Sequence, residues 1–109
     1  MIEKRANNVP LWSFQNLLPF KEISHFISTR NGGFSKPPYN SLNLGFHVGD
    51  NPETVLENRQ RLATSLEIPL DNFTTVRQVH GGNVVTVKKP GGALHYDMAI
   101  PETDAMVTD

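Results

Sequence analysis

The sequence predicts an α/β (α+β) fold, and three observations support this prediction. Several short stretches alternate apolar with polar residues or are rich in β-branched residues, as strands are. One longer segment has the 3.6-residue period of an amphipathic helix. Long segments rich in Pro, Gly and Asn connect these elements. The length of 109 residues fits a single domain with a modest core.

Composition restricts the possible partners and the cellular compartment. The net charge is -1, so no overall positive field attracts nucleic acid or anionic lipid. The first residues lack a signal-peptide core, and no apolar run is long enough to cross a membrane. The chain has no cysteine, which excludes disulfides and thiolate ligands within it. We therefore expect a cytoplasmic protein with no nucleic-acid or membrane partner.

The first predicted strand covers residues 23–29, where apolar and polar residues alternate. Asn31, Gly32 and Gly33 follow directly and predict a turn. Residues 34–50 are rich in Pro, Asn, Ser and Gly and predict an ordered loop. A loop of this length in a small domain is often functional.

A helix is predicted over residues 52–66. Asp50 or Asn51 can cap it, and Pro52 suits its first position. Its apolar stripe, calculated at 100° per residue, contains Val55, Arg59, Leu62 and Leu66, whereas Glu57, Gln60 and Ser65 point elsewhere. The helix therefore carries an arginine on its inner face.

Two β-branched stretches, residues 73–79 and 84–88, predict short strands joined by residues 80–83. A polar connector rich in Pro and Gly follows over residues 88–102. Residues 104–108 predict the beginning of a further strand that has no obvious partner or cover. This ending indicates a fragment of a larger domain.

Two arginines are candidates for binding an anion. Arg59 lies on an apolar stripe, where a guanidinium is costly unless an anion or carboxylate meets it. A salt bridge, or a stem that packs while its head reaches water, explains the residue equally well. Arg30 precedes Asn31, Gly32 and Gly33, and a turn of this kind can form a nest of backbone N–H groups beside the cation.

His80 lies at the end of a predicted strand, before two glycines, which suits a metal ligand, a general base or a turn-stabilising histidine. His25, His47 and His95 belong to separate segments and can join it only through the fold. Asp50 and Asp104 are explained by helix capping and by a turn before a strand, respectively.

Five stretches, taken in order, resemble the YfiH-like family of laccase-domain proteins. They are HFISTRNGGFS (25–35), SLNLGFHVGD (41–50), ENRQRL (57–62), RQVHG (77–81) and TDAMVT (103–108). The family was long labelled multicopper polyphenol oxidase and is now associated with zinc-dependent purine nucleoside phosphorylase and adenosine deaminase activity. The resemblance extends over nearly the whole chain.

The resemblance implies layered mixed sheets packed against helices, with residues 1–109 as the N-terminal portion of one domain. Family members are about twice as long, and their second half carries an Ala-Asp-Cys and a His-x-Gly-Trp-Arg motif, both absent here. The resemblance implies that His80 is the first of three zinc ligands and that the other two lie in the C-terminal half. It also implies purine nucleoside and phosphate as substrates. We expect Arg30 and Arg59 near the phosphate, and Asn43 as a pocket contact or a turn-stabilising residue.

Three other functions stay open at this point. A copper-dependent polyphenol oxidase requires clustered histidines, of which this chain offers few. A cysteine hydrolase would use His80 as the base for a thiol supplied by the other half. A non-catalytic binding module is favoured if this half acts alone. The oligomeric state is not indicated by the sequence.

Overall fold

A computed structural model describes residues 1–6 and 8–108, with side chains for residues 1–3 and 8–108. Its helix and strands are β1 (Ile2–Ala6), β2 (Val9–Ser13), β3 (Ile27–Ser28), α1 (Pro52–Ser65), β4 (Val84–Val87) and β5 (Ala105–Thr108). Single 3-10 turns occur at Gln15–Leu17, Phe46–Val48, Leu70–Asn72 and Tyr96–Met98. The predicted α+β class is confirmed.

The N-terminal strands form a hairpin that the sequence analysis did not predict. β1 pairs antiparallel with β2, from Ile2 opposite Ser13 to Ala6 opposite Val9. Only two residues separate the strands, and Asn8 has a left-handed φ of 66°. Asparagine adopts a left-handed φ more readily than most residues, so the asparagines at 7 and 8 were a weak turn signal. The charged residues at 3–5 gave no signal for a strand before that turn.

The strand predicted over residues 23–29 is much shorter in the structure. Only Ile27–Ser28 pairs with β2, as the third strand of the antiparallel sheet. The preceding residues form turns instead, and the N–H of Ile23 donates to the carbonyl of Phe20 at 3.1 Å. The side chain of His25 is hydrogen-bonded to the backbone of Phe14, whose N–H donates to Nε2 of His25 at 2.9 Å.

The helix agrees with its prediction except for its last residue. Oδ1 of Asn51 accepts from the N–H of Glu53 at 2.9 Å, so Asn51 rather than Asp50 is the N-cap. Val55 and Leu62 are buried on the inner face. Ser65 lines the same depression as Glu57 and Gln60, so it lies off the apolar stripe as predicted. It is nevertheless buried, and its hydroxyl donates to the carbonyl of Arg61 at 2.9 Å.

Two small clusters of buried hydrophobic residues each include one residue of the helix. One comprises Val9, Leu11, Leu42 and Leu62, with Phe26, Leu44 and Leu66 packed against it. The other comprises Ala63, Leu70 and Ala93, with Leu56, Phe73 and Leu94 packed against it. The helix therefore joins the N-terminal sheet to the segments that follow it.

Residues 73–79 do not form the strand predicted for them. They contain only isolated bridges, from Thr74 to Gly92 and from Val76 to Ile100. The β-branched side chains favour extended backbone here, but the neighbouring segment is a connector with turns and prolines, which offers no continuous ladder of partners. The segment is therefore extended without being part of a sheet.

The last strand has a partner, contrary to expectation. β5 pairs in parallel with β4, from Val84 beside Ala105 to Val87 beside Thr108. Both strands remain largely uncovered, with Val84 62% and Val107 55% exposed. Among residues 1–6 and 8–108, no helix has the length and apolar character needed to cross a membrane.

Candidate functional site

A cavity of about 340 Å³ lies where the long loop, the helix and the extended segment before His80 meet. This volume is at the lower end of the range typical of small-molecule sites. Its walls are formed by Phe46, His47, Arg59, Thr75, Val76, Arg77, Gln78, His80, Tyr96 and Ala99. None of these described wall residues is acidic, so the charged side chains in the cavity are all basic.

Arg59 enters the cavity from the inner face of α1. Its Nε donates to the carbonyl of Leu44 at 2.8 Å, and its Nη1 donates to the carbonyl of Ala93 at 2.7 Å. The guanidinium carbon lies 4.3 Å from the ring centroid of Phe46. Burial lowers the pKa of Arg59 from its usual value, yet the group remains protonated because that usual value is so high. Its described partners are neutral, so none of them compensates its positive charge.

His80 is exposed at the edge of the same cavity, in the turn that leads to β4. The carboxylate of Asp104 fixes this turn: Oδ1 accepts from the N–H of Gly81 at 3.2 Å, and Oδ2 accepts from the N–H of Asn83 at 3.0 Å. The interpretation of Asp104 as a turn residue agrees with these contacts. Asp104, the residue directly before β5, thus fixes the turn that follows His80.

Two further side chains of the cavity were given no role by the sequence analysis. Arg77 stands three residues before His80, and its guanidinium carbon lies 5.4 Å from the ring centroid of Tyr96. The RQVHG motif contains Arg77, so the motif itself was the signal that could have identified it. Tyr96 lies in the Pro/Gly-rich connector, which carried no such signal.

The structure does not bring Arg30 and Asn43 into this cavity. Both line a separate shallow depression beside Tyr39. Nε of Arg30 donates to the carbonyl of Asn40 at 3.0 Å. The amide of Asn43 donates to Asp50 at 3.2 Å and accepts from the N–H of Gly45 at 3.1 Å, which stabilises the loop. Their predicted contacts with substrate stay predictions that the cavity geometry does not support.

A buried polar network holds the loop that delivers Phe46 and His47. The side chain of Asn58 is fully buried and donates to the Oγ of Ser35 at 2.8 Å and to the carbonyl of Asn43 at 2.9 Å. Ser35 in turn donates to Asp50 at 2.5 Å. Hydrogen bonds from Ser35, Asn43 and Asn51, the first being the largest cause, lower the pKa of Asp50. The loop is therefore fixed to α1.

The histidines only partly converge. His47 lines the cavity with His80, whereas His25 is bonded to Phe14 and His95 precedes the 3-10 turn at Tyr96–Met98. Within the described part of the chain, no three His, Asp or Glu side chains are grouped closely enough to hold a metal ion. These residues alone do not form a complete site for zinc or copper.

Known proteins resemble this chain in sequence and in fold. The purine nucleoside phosphorylase YlmD of Geobacillus stearothermophilus is 40% identical over 94 residues, which are 84% of this chain and 34% of that protein. The purine nucleoside phosphorylase YfiH of Escherichia coli K12 is 49% identical over 88 residues, which are 80% of this chain and 36% of that protein. The chain spans about a third of the length of the curated relatives it matches.

Solved structures agree with the sequence relatives. The crystal structure of YlmD from Geobacillus stearothermophilus matches with a TM-score of 0.80 at 40% identity, over 84% of this chain and 35% of that chain. A Bacillus licheniformis protein, YfiH, matches with a TM-score of 0.74 at 37% identity, over 77% of this chain and 33% of that chain. The family model for the multi-copper polyphenol oxidoreductase laccases matches residues 24–109. The chain therefore belongs to that family, and the resemblance to YfiH-like proteins is confirmed.

Proposed function

We propose that this chain forms the N-terminal part of a purine nucleoside phosphorylase, and that its cavity binds the phosphate. The names of its relatives support the activity. The observation that carries the proposal is the uncompensated charge of Arg59 in a cavity whose described walls contain no carboxylate. Because the chain covers about a third of those relatives, the activity belongs to the whole protein. A cytoplasmic location stays a prediction.

The proposed reaction is phosphorolysis of inosine, adenosine or guanosine. An oxygen of phosphate attacks the ribose C1′ while the bond from C1′ to the purine nitrogen breaks. The bonding electron pair leaves with the purine, which takes up a proton, and the products are the free base and ribose 1-phosphate. The sugar becomes positively charged in the transition state, so the phosphate must be held close to it in the correct orientation.

Arg59 is suited to this task because its position is fixed before any ligand arrives. Two carbonyls and the ring of Phe46 hold the guanidinium. Its Nη2 has no hydrogen-bond partner among the described residues, so this nitrogen is available to an anion. A charge-assisted hydrogen bond from a fixed donor is strong and requires no reorganisation during the reaction.

We propose His80 as one of three zinc ligands, and this role rests on the family resemblance and on its position at the cavity. A cysteine and a second histidine from the remainder of the domain would complete the set. The described residues do not fit the ion by themselves, so no step above is assigned to a metal. The resemblance alone supports a second activity, hydrolytic deamination of adenosine, which we expect His80→Ala to abolish in the complete protein.

The family description also suggests oxidation of phenols by copper. The cavity favours this less, because Arg59 and Arg77 line it together with two histidines. Two positive charges attract phosphate, an anion that the oxidation of a phenol does not use. Oxidation of a phenol in proportion to bound copper, without phosphorolysis of inosine, would favour the oxidase.

The test is the phosphate dependence of hypoxanthine release from inosine, in a protein that carries this segment with the rest of its domain. We expect Arg59→Met to raise the KM for phosphate by about tenfold or more, the effect of losing a charged hydrogen bond. Arg61→Met is the control, since Arg61 lies on the same helix but lines a different depression. An unchanged phosphate dependence in Arg59→Met rejects the role of Arg59, and absence of phosphorolysis in the unaltered protein rejects the function.

A further inference from the structure

The main chain of Arg77 is fixed from two sides. Its N–H donates to the carbonyl of Ile100 at 2.7 Å, and its carbonyl accepts from the N–H of Thr103 at 3.2 Å. Thr103 is fully buried, and its own hydroxyl is satisfied by the carbonyl of Pro101 at 2.8 Å. These two hydrogen bonds therefore fix the point at which the Arg77 side chain enters the cavity.

The side chain of Arg77 makes no hydrogen bond within the described part of the chain. Its Nε is buried and unpartnered, and its described side-chain interaction is the stacking of the guanidinium over Tyr96 at 5.4 Å. Arginine has five N–H donors in a planar fork that matches the oxygens of a phosphate. A half-buried guanidinium with uncommitted donors is costly unless a ligand accepts its hydrogen bonds.

The surroundings of Arg77 favour an anion over a neutral ligand. Arg59 lines the same cavity with a second positive charge, and no described wall residue is acidic. Two guanidinium groups in one partly enclosed space repel each other, and a dianion removes this repulsion. Arg61 differs in this respect: its Nε is also buried and unpartnered, but Glu57 lines the depression it faces.

We propose that Arg77 is a second phosphate-binding residue, acting on the same phosphate as Arg59. From the sequence, Arg30 was expected to bind phosphate together with Arg59, but Arg30 lines a different depression. This inference rests on the proposed function, because it takes the anion that binds in the cavity to be the phosphate consumed in the proposed phosphorolysis. The guanidinium carbon of Arg77 lies over the ring of Tyr96, 5.4 Å from its centroid, and this cation–π contact favours the observed position of the side chain.

The test is a titration of a uniformly 15N-labelled protein that carries this segment with the rest of its domain, using sodium phosphate against sodium chloride at matched ionic strength. The Nε–Hε signals of the arginines are followed by NMR and assigned from single substitutions. We expect the signals of Arg59 and Arg77 to shift together and saturate, while that of Arg61 stays in place. Arg77→Met should weaken phosphate binding by about tenfold or more. Arg77→Lys keeps the charge but not the planar fork, so it should weaken binding less.

Arg61→Met is the matched control, because it removes an arginine that also stacks on an aromatic ring, here that of Phe34 at 5.2 Å. Its phosphate affinity should equal that of the unaltered chain, and circular dichroism establishes that each variant is folded. If the Arg59 signal shifts but Arg77 does not, and Arg77→Met or Arg77→Lys binds phosphate normally, the inference is overturned and the proposed function stands. If neither signal responds, the phosphate site of the proposed function fails as well.

Discussion

Asn58 of the helix accepts a hydrogen bond from the backbone N–H of Phe34 at 2.7 Å, across 24 residues of sequence. The same side chain donates to Ser35 and to the carbonyl of Asn43, so one fully buried amide satisfies three groups of the loop. The loop carries Phe46 and His47 into the cavity. The form of the site therefore depends on a residue that does not line it.

We expect Asn58→Leu to lower the free energy of unfolding by about 3 kcal/mol, because the loop groups it satisfies lose their partner in a dry environment. Urea unfolding followed by fluorescence of Trp12 measures the change. Gln60→Ala is the control on the same helix, since Gln60 is exposed and bonds only Thr64 at 3.3 Å. Equal stability of the two variants would show that the network is not stabilising.

Gly33 is required by close approach of the backbone. A Cβ at this position would lie 2.2 Å from the carbonyl oxygen of Ser41 and 2.5 Å from the Cα of Leu42. We expect Gly33→Ala to cost about 3 kcal/mol, since backbone atoms must move to admit the methyl group. Gly82→Ala is the comparison, because no atom lies within 4 Å of its Cβ position. A melting temperature that falls equally in both variants would contradict this explanation.

The stability of the chain should depend on the ionisation of Asp50. Because hydrogen bonds, that of Ser35 first, lower its folded pKa, the carboxylate stabilises the fold above its unfolded value near 3.8. This contribution is lost as the pH falls from that value through the folded pKa. We expect the stability difference between the unaltered chain and Asp50→Asn to be largest near neutral pH and to shrink below about pH 4.

Asp71→Asn provides the comparison for Asp50, since Asp71 is exposed in the 3-10 turn at Leu70–Asn72. Denaturant unfolding at a series of pH values measures both variants against the unaltered chain. If the difference for Asp50→Asn is constant between neutral and acid pH, its carboxylate has no special role in stability.

The 109 residues by themselves should not retain zinc. The described side chains include no group of three that fits a metal, and one imidazole is far too few ligands for a tetrahedral site. Metal analysis of the purified chain should therefore find well below one zinc per molecule, with no difference between the unaltered chain and His80→Ala. One tightly bound zinc per chain, lost in His80→Ala, would contradict the expectation that the other ligands lie elsewhere.

Local signals explain which parts of the fold were predictable. The helix was predicted to within one residue because Asn51, Pro52 and its apolar period act over a few residues. The strand at residues 73–79 was predicted wrongly, since β-branched residues favour extended backbone without specifying a partner. Pairing of β4 with β5 was missed for a related reason: parallel partners are distant in sequence.

In the candidate site, too, residues with a local sequence signal were predictable, whereas residues whose role depends on distant segments were not. Arg59 was identified because a charge on an apolar stripe is visible in one helical period. Arg77 stands in the RQVHG motif, but its contact with Tyr96 and its place in a cavity with no acidic residue among the described walls are properties of the folded structure that the motif does not reveal. Arg30 has a suggestive turn beside it, but the fold directs it to another surface.

The carboxylate of Asp104 ties the turn after His80 to the residue directly before β5, so the alignment of β4 with β5 influences the position of the imidazole. A slip of β5 by two residues along β4 would displace that anchor by about 7 Å. In the proposed zinc site, the alignment of this parallel pair would set the position of a metal ligand, so we expect a sequence change that weakens the pairing to weaken metal binding without altering any residue of the cavity.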